Sequence, residues 1–66
     1  MLTDSQKPEI LTIKEAAHLL GVSVTTMRRL QEERRISFHK IRGSVRFDKQ
    51  DLLIYWKSTR VESVSS

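Results

Sequence analysis

The stretch TIKEAAHLLGVS, residues 12–23, constrains the fold more than any other part of the chain. Thr12 and Glu15 form a T-x-x-E capping box, in which each side chain satisfies a backbone N–H that a helix start leaves unpaired. Ile13, Ala16, Ala17 and Leu20 then follow the i, i+3, i+4, i+7 spacing of one buried face. Gly21 ends the helix, because glycine takes the left-handed C′ conformation without a Cβ penalty. Val22 is placed to plug the core at the turn, and Ser23 can cap a second helix. A helix that stops and restarts so abruptly is a helix–turn–helix connection.

The second helix raises a question of composition. Met27 and Leu30 anchor a buried stripe that Gln31 and Arg34 extend, while Thr25, Arg28, Arg29 and Glu32 point away from it. Alanine and glutamate would make a more stable helix than these hydroxyls and guanidiniums. Their common exposed side, toward the N-terminal half, suits contact rather than helix stability.

The period then changes. RISFHKIRGSVRFD has β-favouring residues on both sides of RGS, a short glycine-containing turn. Val45 and Phe47 share one strand face and Arg46 takes the other; Ile36 and Phe38 agree in phase, whereas Ile41 does not, which calls for a bulge. Such a two-stranded ribbon is unstable alone and must lean on the helices. Asp48 caps a third helix running to about Ser58, with Asp51 as its acidic N3 partner. Leu52, Tyr55 and Trp56 form its buried stripe; Leu53 and Ile54 lie off it. Residues 1–10 read as a flexible arm, 11–57 as the single domain and 58–66 as a flexible tail.

Sixty-six residues sit near the lower limit for folding on one apolar core, and with no cysteine neither a disulfide nor a thiolate metal site can supplement it. The N-terminus shows no signal-peptide pattern, and the apolar run Leu52–Trp56 is far short of the roughly 20 residues that span a bilayer. A soluble cytoplasmic protein is expected, with no membrane partner. The net charge is +4, and Arg28, Arg29, Arg34, Arg35, Lys40, Arg42 and Arg46 fall in one region opposed there only by Glu32 and Glu33. That concentration is either a solvated basic surface or a surface for a polyanion, of which nucleic acid is the commonest.

Catalysis is not expected. His18 and His39 fall on different elements without paired-ligand spacing, and no nucleophile motif or glycine-rich phosphate loop occurs. No metal, cofactor or small-molecule ligand is anticipated. Tyr55 and Trp56 could stack on bases, but core packing accounts for both.

Helix, tight turn, helix, hairpin, helix is the order of a mainly α, small winged helix-turn-helix with a two-stranded wing. LTIKEAAHLLGVSVTTMRRLQEERRI and KIRGSVRFDKQDLLIYW together resemble the excisionase-type, MerR-like DNA-binding domain over about residues 11–57. That family shows an LT-x-x-E-A-A-x-x-L-G-V-S helix and turn, a recognition helix, a glycine-containing wing, an R-F strand and a D-L helix. Two features depart from it. Relatives often have glycine after the recognition helix, where this chain has EERR, so the second helix either lengthens or ends in a strained turn. Leu53 and Ile54 stand where the family usually has polar or small residues, and are candidates for a protein contact or a wider core face.

The resemblance implies that the second helix enters the major groove of double-stranded DNA. Ser23, Thr25 and Thr26 would donate to phosphates or base edges, with half-buried packing the competing role for Thr26. Arg28 would read guanine and Arg29 would hold the backbone. Arg42 and Ser44 flank Gly43 at the wing tip, and Lys40 and Arg46 extend the positive edge, unless these are routine edge-strand charges. By the same resemblance, a module of this size is an excisionase, or recombination directionality factor. It would bend attachment-site DNA and promote integrase-mediated excision of a phage or mobile element, acting through cooperative self-association or an integrase contact. The alternatives are a small MerR-like transcriptional regulator and, with less support from the charge pattern, a protein-interaction adaptor.

Overall fold

The computed structural model describes residues 9–63. Among these the order is β1 (Ile10–Leu11), α1 (Ile13–Leu20), α2 (Val24–Glu32), β2 (His39–Ile41), β3 (Ser44–Asp48) and α3 (Lys49–Ser58). The strands form an antiparallel sheet ordered β1-β3-β2. This is the mainly α, winged helix-turn-helix architecture, with one strand beyond the expected two. Ile10, assigned to the arm from sequence, pairs with Asp48, and Leu11 pairs with Phe47. Two residues carry no alternation to read, so β1 exists as a strand only because β3 lies beside it. Glu9 is tied down as well: its carbonyl accepts from Lys49 N at 3.0 Å, and its carboxylate lies 3.6 Å from Lys49 Nζ. The rest of the expected arm, and residues 64–66 of the expected tail, lie outside the described residues.

The caps form as the residue types dictate. Glu15 N donates to Thr12 Oγ1 at 3.2 Å, and Thr12 N donates to Glu15 Oε1 at 2.8 Å. The Thr12 backbone N–H, then the Thr12 side chain, hold the Glu15 carboxyl below its ordinary value of 4.5; slight desolvation opposes them and the Arg46 charge adds to them. Because the folded pKa is depressed, this contribution is present above the ordinary carboxylate range and is lost as pH falls through the lowered value. Thr12→Ala should cost about 1 kcal/mol in urea unfolding at neutral pH. It should also remove part of the stability loss that the wild type shows on acidification below pH 4.5.

α1 stops at Gly21, whose φ of 72° allows Gly21 N to reach His18 O at 3.2 Å and Val22 N to reach Ala17 O at 3.0 Å. Val22 stays 36% exposed, so it rims the core rather than plugging it. Asp48 caps α3 by accepting from Gln50 N at 2.9 Å, and Asp51 adds its charge to the first turn.

α2 ends in the strained turn rather than lengthening. Arg34 adopts φ 58°, Arg34 N donates to Gln31 O at 3.1 Å and Arg35 N to Leu30 O at 3.0 Å. These are the two bonds of a Schellman motif with arginine at the position glycine usually fills. Arg34 therefore leaves the stripe expected for it and is exposed, while Met27 is buried and Leu30 and Gln31 are half-buried. No bulge is needed in the wing, because β2 begins only at His39. The preceding residues Ile36 (buried) and Phe38 (half-buried) reach the core from irregular backbone, and Ile41 is exposed.

The core is small: Ala16, Ala17, Met27, Ile36, Phe47 and Leu52 are buried, with Leu11, Ile13, Leu20, Leu30, Phe38, Val45 and Tyr55 packed around them. Trp56, expected in the buried stripe of α3, is 60% exposed. It lies in a surface groove with Leu19, Gly21 and Leu53.

Candidate nucleic-acid interface

The exposed face of α2 carries Thr25, Thr26, Arg28, Arg29 and Glu32. Ser23, its N-cap, accepts from Thr26 N at 3.0 Å and donates its hydroxyl proton to Thr26 Oγ1 at 2.9 Å. Ser23 is thus occupied in capping, whereas Thr26 keeps its own hydroxyl proton to donate. Thr26 is exposed and not packed beside Met27.

Between α2, β3 and the start of α1 runs a groove lined by Thr12, Ile13, Arg28, Gln31, Glu32, Ser44, Val45 and Arg46. It brings Arg28 of α2 together with Ser44 and Arg46 of the wing, residues far apart in sequence. The half-buried Arg46 is oriented by its own strand, Nη1 donating to Val45 O at 2.9 Å. Ser23, Thr25, Arg29, Lys40 and Arg42 do not line this groove. Thr12, Gln31 and Glu32 do line it, and the sequence reading gave them no binding role. The signal for Glu32 was present, since it stands one helical turn, i+4, from Arg28. A carboxylate here disfavours phosphate and accepts only from a donor such as a cytosine amino group. Among the described residues the ion pairs are Glu33–Arg35 and Glu9–Lys49, so neither Arg28 nor Glu32 is drawn into one.

The wing turns through Arg42 and Gly43, at φ 49° and 85°, between the paired residues Ile41 and Ser44. Positive φ at both central positions is the type I′ arrangement, for which asparagine and glycine are the usual residues. Arginine at Arg42 costs about 1 kcal/mol of backbone strain, and such strain gathers at functional sites. Lys40 faces a neighbouring groove with Arg34, Ile36, Ser37 and Phe38. On the far helix, Leu53 is half-buried and Ile54 is 64% exposed.

Fold and basic face together define a small winged helix-turn-helix protein in which Arg28 of the second helix and Ser44 and Arg46 of the wing line one groove. The family model described as a helix-turn-helix domain matches residues 10–60. The chain belongs to that family, a DNA-binding family that includes excisionase-like proteins. Comparison with curated proteins and with solved structures returned no match. Among the described residues no helix is long and apolar enough to cross a membrane.

Proposed function

We propose that the protein is an excisionase-type recombination directionality factor. In this reading it binds and bends attachment-site DNA in the cytoplasm and promotes integrase-mediated excision of a phage or mobile element; it acts by binding, not as an enzyme. The observation that carries DNA contact is the groove joining Arg28 to Ser44 and Arg46. A helix and a wing that grip one duplex together supply contacts that offset the cost of bending it, which supports the bending role. The exposed apolar residues Ile54 and Trp56 on α3 support a protein contact on DNA, with integrase or with a neighbouring copy. A single small domain makes few base contacts, so such a contact raises useful affinity.

Footprinting and gel-shift titration on DNA around the gene and any nearby attachment site test the reading. Stepwise cooperative protection of closely spaced repeats beside the recombination core, with mobility altered by bending, is the expected result. One protected site over a promoter, with nothing at the attachment site, would move the assignment to a small transcriptional regulator. Absence of any salt-sensitive DNA binding would leave the interaction adaptor. Trp56, the single tryptophan, reports docking of integrase through a blue shift in its emission.

The wing role has its own test. Arg42→Asn preserves the turn, since Asn-Gly is the favoured type I′ pair. It should weaken binding to specific and random DNA alike and reduce the slope of log affinity against log salt by about 1. An unchanged slope would remove Arg42 from the interface.

A further inference from the structure

Arg34 has no part in the interface described so far, yet the chain holds it in a conformation that glycine would occupy without strain. Its φ of 58° falls at the C′ position of a Schellman motif, where a Cβ is penalised. Compensation of the helix dipole does not explain the choice. Arg35, next in the chain, is also a cation at that helix end and would remain if Arg34 were glycine. Neither ion pair among the described residues involves Arg34; Glu33 pairs with Arg35 at 3.6 Å. The guanidinium is exposed and shares an open groove with Ser37 and Lys40, over the Ile36 and Phe38 side chains.

That groove adjoins the one containing Arg28. Lys40 and Val45 are cross-strand partners in the wing; Lys40 lines the Arg34 groove and Val45 the Arg28 groove. α2 borders both, through Gln31 and Glu32 on one side and the Arg34 turn immediately following on the other. We propose that Arg34, Ser37 and Lys40 form a second phosphate-binding site, which takes the DNA backbone where it leaves the groove between α2 and the wing. The inference rests on the DNA-binding reading. Its chemistry is two cations and one hydroxyl donor on a stretch with no carboxylate among its lining residues, in contrast to the first groove, where Glu32 is present. Such a site contributes affinity to every sequence and selects none.

Arg34→Gly separates this role from a structural one, because stability and binding should move in opposite directions. Relief of the left-handed strain, less the entropy that glycine adds to the unfolded chain, should raise Tm by about 4 °C. Affinity should fall about tenfold at moderate salt, equally for the footprinted duplex and a random duplex, and the salt slope should drop by about 1. Arg34→Lys, which keeps the charge, should retain the slope. Arg34→Gly with wild-type affinity and slope, or with a lowered Tm, would overturn the inference while leaving wild-type DNA binding intact. A wild type with no salt-dependent binding would instead overturn the DNA-binding reading itself.

Discussion

Phe47→Ala should leave the domain largely unfolded at 25 °C. Phe47 is fully buried on β3, the central strand, where it faces Leu11 of β1 and belongs to a core of six buried residues. Truncating a buried phenylalanine costs about 3–5 kcal/mol through lost transfer energy and the cavity left behind. A single apolar core in a chain of this length rarely supplies more than about 3–5 kcal/mol of net stability. The substitution therefore consumes most or all of it. Phe47→Leu retains most of the volume and should lose less than about 1.5 kcal/mol. Far-UV circular dichroism with urea titration distinguishes the two. A cooperative Phe47→Ala transition displaced by under about 1 kcal/mol would mean that the core does not depend on this ring.

The second large effect concerns recognition. Arg28→Ala should cost about 1–3 kcal/mol at the correct site and relax preference at the base it reads, with little loss on random DNA. The residue is exposed on α2 and lines the groove shared with the wing, where a guanidinium can address guanine O6 and N7 together. Glu32, one turn further along the same groove, bears on the same measurement. Its carboxylate lowers affinity for backbone phosphate, so the pair Arg28 and Glu32 favours bases that offer an acceptor and a donor in sequence. Equal losses on specific and random duplexes would make Arg28 a phosphate contact. The experiment also separates it from Arg42 and Arg34, for which equal losses are the expected outcome.

Arg34 and Arg42 share a logic that composition alone does not reveal. Each is an arginine at a left-handed position, one closing α2 and one opening the wing turn. Both are exposed, so neither strained conformation is explained by burial of the side chain, which supports the proposed phosphate contacts.

What the sequence determined by itself was local. The Thr12–Glu15 box, the Gly21 stop and the Ser23 and Asp48 caps follow from interactions within about one helical turn, and the faces that bury Ala16, Ala17, Met27 and Leu52 show in the helical spacing of their apolar residues. The tertiary structure decided everything that depends on a distant neighbour. Ile10 and Leu11 are a strand because β3 offers them a partner, and Trp56 is 60% exposed although helical spacing places it one turn from the buried Leu52. Arg28 and Arg46 line one groove because α2 and β3 both pack against α1, bringing together side chains that no periodicity connects.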